Sequence, residues 1–185
     1  MLKKMITFIL SLVMVFLTAW AVQAQGVIKF SADLSGSVET NYLQKNTCPV
    51  NPGYLVGIEF FQQKQEETLL GAGVEYQLLR YAENLDEEFG FIPVYGLIRL
   101  HFSPFARSKP YLIGKLGYSF FRVEEPDNDF DYKGGLYYGG GIGLTLSNNV
   151  QFEADYTVHN GEKRLRNFLF PYRYTKFSLA LGLLF

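Results

Sequence analysis

A period of two in side-chain character constrains this chain more than any other feature. The last nine residues, Phe177-Ser178-Leu179-Ala180-Leu181-Gly182-Leu183-Leu184-Phe185, alternate apolar with small up to the final pair. A stretch built this way is a strand with one greasy face and one small or polar face. Seven more stretches read alike, at about 28–41, 54–65, 68–83, 90–103, 110–125, 135–147 and 150–159, with the last spanning about 172–185. In the first, Ile28, Phe30, Ala32, Leu34, Gly36 and Val38 oppose Lys29, Ser31, Asp33, Ser35, Ser37 and Glu39. In the seventh, Val150, Phe152, Ala154, Tyr156 and Val158 oppose Gln151, Glu153, Asp155, Thr157 and His159.

The connections alternate in length. Long loops are expected around 46–52, 84–88, 126–134 and 160–171, and short turns near 63–67, 104–109 and at Asn148-Asn149. Six of the seven prolines fall in connections or at a strand's first residue, and Pro93 lies near the start of the fourth strand, so none interrupts a central ladder. The expected fold is all-β, an eight-stranded antiparallel up-and-down barrel.

Alternation alone does not say which face is inside. A soluble, lipocalin-like barrel points its apolar row inward, and a transmembrane barrel points it at lipid. The candidate inner row is rich in Gly and Ser, which suits a narrow filled lumen. Aromatic residues collect near strand ends, as at Tyr54, Phe60, Phe102, Phe152 and Tyr172, in the manner of interfacial girdles. The N-terminus supplies the compartment. Lys3 and Lys4 precede an apolar stretch from Met5 to Leu17, and Val22-Gln23-Ala24 offers a cleavage site before Gln25, with cleavage after Ala21 as an alternative. Residues 1–24 are therefore expected to be a cleaved secretory signal and residues 25–185 a transmembrane barrel exported through the periplasm to the bacterial outer membrane. A mean hydropathy of +0.03, despite 17% aromatic residues, fits strands that average a lipid face with a lumen face. A net charge of −1 gives no case for nucleic acid as a partner.

The run from Tyr137-Tyr138-Gly139-Gly140-Gly141-Ile142-Gly143 through Asn148-Asn149 to Phe152-Glu153-Ala154-Asp155-Tyr156 resembles the penultimate hairpin of the OmpA/OmpX-type, opacity-like outer membrane β-barrel family, a porin-family small barrel. With the aromatic-terminated last strand, the resemblance covers essentially all of residues 25–185. It implies that Phe185 acts as the signal read by the barrel-assembly machinery. Because the family includes anchors, adhesins and narrow pores, the resemblance specifies a place more than a task. No C-terminal peptidoglycan-binding domain is expected.

The inferred inner row carries Lys29, Asp33, Glu39, Glu59, Glu75, Arg99, Lys115, Glu153, Asp155 and Lys176. Charges inside a membrane barrel must be paired or wet. Eight strands leave room mainly for side chains, so a closed lumenal network is expected, with a narrow ion or small-solute channel as the alternative. A second external turn near Asp86 and Glu87 would set Glu75 opposite Arg99 as a cross-strand ion pair. Glu153 and Asp155 lie two apart on one face and could support acid–base work, but no substrate cleft accompanies them.

His159 is the one candidate for catalysis, because some eight-stranded lipid A deacylases pair a His with a nearby Ser and an acid. Here His159-Asn160-Gly161-Glu162 holds no such Ser, so His159 reads as a rim residue and a lipid A-modifying enzyme as a distant alternative. Lys163, Arg164, Arg166 and Arg173, set among Phe168, Phe170 and Tyr172, form a basic aromatic loop suited to lipopolysaccharide phosphates. Asp127-Asn128-Asp129-Phe130-Asp131 lacks the Gly and closing Glu of a calcium loop, so no metal and no cofactor is expected. Cys48 reads as an incidental loop thiol, with an intermolecular bridge as the alternative. The expected protein is a monomeric, non-enzymatic structural or surface-interaction barrel whose partners are outer-membrane lipid and lipopolysaccharide.

Overall fold

The computed structural model describes residues 24–41, 45–65, 67–82, 88–102, 108–124, 130–146, 149–165 and 168–185. The signal segment, the calcium-like residues 127–129, Arg166 and the acidic residues 83–87 lie outside the described residues. Among the described residues there are nine strands: β1 (Gln25–Asn41), β2 (Lys45–Pro49), β3 (Gly53–Gln65), β4 (Thr68–Gln77), β5 (Phe89–His101), β6 (Ser108–Val123), β7 (Phe130–Leu146), β8 (Val150–Leu165) and β9 (Phe168–Leu184). β1 pairs antiparallel with both β2 and β3, each strand from β3 to β8 pairs antiparallel with the next, β9 pairs back onto β1, and the ring closes. β2 and β3 share one edge of β1: β2 pairs with Ser37 to Asn41 and β3 with Gln25 to Asp33. They are two halves of one barrel strand, split where Val50-Asn51-Pro52 leaves the ladder, so the wall is eight strands thick around its circumference. Cys48 consequently sits in a strand, half-buried against the aromatic residues at the loop end, and not in a loop as the sequence reading had it.

Pairing arithmetic places the short turns, the start of β1 and the end of β9 at one end, called here the turn end, and the long connections at the loop end. The wall is sealed at the turn end by paired backbone bonds between Gly26 and Phe185, N to O at 3.1 and 2.9 Å. A Cβ on Gly26 would overlap the Phe185 ring, so this position admits the terminal aromatic only because it carries no side chain.

The facing follows the alternation over most of the wall and departs from it at bulges. Lys29, Ser31 and Asp33 point inward, but an irregularity between Asp33 and Ser35 inserts one residue and reverses the pattern beyond it. Val38 and Thr40, not Glu39, therefore face the lumen, which corrects the inward placement of Glu39 and the outward placement of Val38. A second irregularity between Gly134 and Tyr137 shifts the register on the loop-end side of β7, while Tyr137 keeps the odd-numbered inner row, fully buried opposite His159.

Strands also outrun the sequence reading at the loop end. Of the residues expected in the loops 126–134 and 160–171, those at 130–134, 160–165 and 168–171 belong to β7, β8 and β9, which stay paired up to Phe130↔Leu165 and Leu165↔Phe168. The hydrophobic alternation stops near residues 159 and 172 although the strands continue, because strand pairing is made by backbone hydrogen bonds and needs no apolar row. Pro171 thus lies inside β9, where the ladder to β1 has already ended at Tyr172, so its missing N–H costs no bond on that side. Likewise the regular β4–β5 ladder ends at Val74↔Val94, one residue short of Pro93.

The small inner row of β7 makes room for large inward residues on the adjacent strands, since Gly143 pairs with Tyr111 of β6 and Gly141 with Asp155 of β8. A Cβ on Gly143 would overlap the Tyr111 ring, which is 1% exposed. Gly143→Val is therefore expected to overpack the lumen and lower stability by about 1–3 kcal/mol, read as a lower urea midpoint of the refolded protein. An unchanged midpoint would mean that Tyr111 does not occupy that space.

Candidate functional site

The lumen has three layers. Toward the turn end Val27, Phe61, Leu97, Tyr111 and Ile113 pack together with Tyr95 and Tyr137, and Leu69 and Leu184 close against them. Toward the loop end Val38, Val50, Ala82, Phe89, Phe91, Tyr172 and Tyr174 form a second apolar cluster backed by Cys48 and Phe121. Between them lies a layer of buried charge.

Its centre is Glu153 on β8. One carboxylate oxygen accepts from the Lys29 ammonium and from Lys115 Nζ at 3.0 Å; the other accepts from Tyr111 Oη at 3.0 Å and faces Arg99 Nη2 at 3.5 Å. Lys115 also donates to Asp155 at 2.7 Å, and Lys29 to Glu59 at 3.1 Å. The Arg99 guanidinium lies between two rings, 4.0 Å from the centroid of Phe61 and 4.2 Å from that of Tyr111, and donates to Gln151 at 2.8 Å. Each of these groups arrives because an odd-numbered position of its strand faces inward, so Lys29, Glu59, Arg99, Lys115, Glu153 and Asp155 converge from five strands.

A second cluster sits nearer the loop end. Asp33 pairs with the Arg80 guanidinium and with Lys176 Nζ at 3.1 Å, and the Tyr174 hydroxyl lies beside Arg80 at 2.8 Å. Arg80 was absent from the sequence-derived inner row. It follows the irregular end of β4, where Leu78, Leu79 and Arg80 break the alternation and a bridge to Phe89 restores pairing. A solitary Arg at the end of an otherwise apolar Leu-Leu pair was the available signal.

Two expected placements are corrected. Glu75 does not lie opposite Arg99: Arg99 faces Leu69 across the β4–β5 ladder, and Glu75 is just beyond the last paired residue, Val74. The observed register sets Leu69 where Glu75 was expected, so every pair of this ladder is displaced by six residues. Glu75 instead meets Tyr95 Oη at 2.7 Å and Lys115 at 3.7 Å. His159 is not at the rim. It is fully buried, stacked on Phe91 at 5.2 Å between centroids and flanked by Tyr137 and Tyr174. It also has a serine within reach, Ser119 Oγ at 2.9 Å from Nδ1, with Gln77 at 3.1 Å from Nε2. The sequence reading searched along one strand, whereas the partner projects from β6. Ser119, Gln77 and His159 are all 0% exposed, so this pair meets no substrate in the structure described.

The basic loop residues separate. Lys163 is buried and holds its ammonium 5.3 Å from the Tyr132 ring, while Arg164 bonds Glu162 at 2.6 Å, and Arg173 points outward, donating to Tyr138 Oη at 3.2 Å. In the neighbouring external connection the Tyr81 phenol is raised above its ordinary range, first by its hydrogen bond to Glu88 and then by that carboxylate's charge. Among the described residues, no three His, Cys, Asp or Glu side chains are grouped to hold a metal.

No protein-family model matches the chain. No curated protein matches it in sequence. Solved structures do share its fold. OprG, an outer membrane protein from Pseudomonas aeruginosa, superposes with a TM-score of 0.58 at 12% identity, over 88% of this chain and 96% of that one. Neisserial surface protein A gives 0.55 at 13%, over 85% and 96%. The attachment invasion locus protein Ail of Yersinia pestis gives 0.50 at 14%, over 88% and 99%. At such identities the likeness is one of fold: an eight-stranded antiparallel β-barrel of the outer-membrane type.

Glu153→Gln should leave Lys29, Lys115 and Arg99 short of their shared counter-charge and cost about 3–5 kcal/mol. The check is the urea midpoint of the refolded variant, and a midpoint equal to the parent's would remove Glu153 from the centre of the network.

Proposed function

We propose that the chain is a non-enzymatic barrel of the bacterial outer membrane, with a closed lumen and a structural or surface-interaction role. The observation that carries this reading is the inversion of its two faces. Leu116 is 63% exposed and Ile142 62%, while Lys29 is 1% and Glu59 0%. In water such a wall would be an aggregating surface and such an interior an expense without return. In a bilayer the same wall is solvated by lipid, and every backbone group in a closed barrel is satisfied internally. The apparent secretory signal and the shared fold of outer-membrane proteins support the location.

Two apolar clusters around an ion-paired layer, with no row of exposed polar residues connecting the ends among the described residues, support the closed lumen. The buried Ser119–His159 pair supports a non-enzymatic role. Arg164 and Arg173, on the outer surface beyond the apolar belt, suit lipopolysaccharide phosphates, and Phe185 against Gly26 and Phe60 suits recognition by the barrel-assembly machinery of an edge not yet closed. The chain's own ring of hydrogen bonds is complete, which fits a monomer.

Two experiments test this reading. Refolded protein in planar bilayers should give no steps of general-porin size, and reproducible steps of that size would establish the channel alternative. Leu181→Arg should destabilise the barrel in lipid by about 2–4 kcal/mol if the position lies near the midplane, and a cost near zero would place that face in water.

A further inference from the structure

The central charged layer contains a contact that two ionised carboxylates cannot share. Tyr95 Oη lies 2.8 Å from Glu59 Oε1 and 2.7 Å from Glu75 Oε1. A phenol has one proton to donate. If both carboxylates were ionised, one would receive the hydrogen bond and the other would press its lone pairs against the phenol oxygen inside a water-poor lumen. We infer that Glu75 carries a proton, donates it to the Tyr95 oxygen, and so completes a relay in which Tyr95 donates onward to ionised Glu59.

The choice of Glu75 over Glu59 follows from their other partners. Glu59 accepts from Lys29 at 3.1 Å and faces Arg99 at 3.5 Å through its second oxygen. Glu75 has no cation within hydrogen-bond distance: its nearest is Lys115 at 3.7 Å, whose ammonium is already held by Asp155 at 2.7 Å and Glu153 at 3.0 Å. The ion pairs linked within 4 Å join four carboxyls, Glu59, Glu75, Glu153 and Asp155, to three cations, Lys29, Arg99 and Lys115, among the described residues. With the adjoining Asp33, Arg80 and Lys176 included, five carboxyls face five cations among the described residues, so the assignment rests on the single phenol proton and not on charge balance. The other groups facing Glu75 are Lys29 from β1, Tyr137 from β7 and Lys176 from β9; the Lys29 ammonium bonds Glu59 and Glu153, and the Lys176 ammonium bonds Asp33 at 3.1 Å. The site is thus a proton-binding position in the wall-to-wall network, independent of what the barrel does at the cell surface.

The full-length protein, refolded without its signal, tests this by infrared spectroscopy at neutral pH. Surface and loop carboxyls are ionised there, so a C=O stretch from a protonated carboxylic acid reports a buried one. The parent should show such a band, Glu75→Gln should lose it, and Asp155→Asn should keep it. Absence of the band in the parent, or its survival in Glu75→Gln, would overturn the assignment, as would its loss in Asp155→Asn alone. Glu75→Gln should also refold with its urea midpoint close to the parent's, since an amide is the neutral isostere of the protonated acid. Failure to refold would count against a neutral Glu75.

Discussion

The Glu153 carboxylate, held by Lys29, Lys115, Arg99 and Tyr111, is the interaction on which the interior depends. A closed eight-stranded wall with an apolar exterior has nowhere to place polar residues except its axis, and eight strands leave that axis room for side chains only. Isolated charges there would carry a desolvation cost of several kcal/mol each. Sharing one carboxylate among donors from β1, β5 and β6 distributes that cost and ties opposite sides of the wall together. The network therefore serves closure as much as charge balance.

Layering gives the network its setting. Aromatic and aliphatic residues at both ends of the lumen shield the ion pairs from bulk water, which strengthens the paired state and makes a missing partner more expensive. At the loop end Phe121, Phe91 and Tyr174 stack, with His159 against them, and the Tyr174 hydroxyl joins this stack to the Asp33–Arg80 pair. The small residues of β7 are the complement to this filling, since Gly143 and Gly141 leave the space that Tyr111 and Asp155 occupy.

Much of this was legible in the sequence. Strand alternation located Lys29, Asp33, Glu59, Glu75, Arg99, Lys115, Glu153, Asp155 and Lys176 on one row, and the structure buries all nine. What alternation could not supply was register. Glu75 and Arg99 are six positions out of alignment, because Arg99 pairs with Leu69 and the strand pattern alone does not specify how two strands slide past one another. Bulges were equally hidden: one extra residue after Asp33 exchanges Glu39 for Val38 at the lumen, and nothing in Leu34-Ser35 announces it. His159 was misplaced for a related reason. Strand β8 continues six residues past it in charged and polar side chains, so the point where hydrophobic periodicity faded was taken for the point where the barrel ended.

The central claim is the direction in which the two faces point, and site-directed spin labelling of β9 in lipid tests it most directly. Labels at positions 179, 181 and 183 should be more accessible to lipid-dissolved oxygen than labels at 178, 180 and 182, because Leu179, Leu181 and Leu183 are exposed on the wall while Ser178, Ala180 and Gly182 are buried. The reverse order of accessibility would contradict the account and put the apolar row inside a soluble barrel.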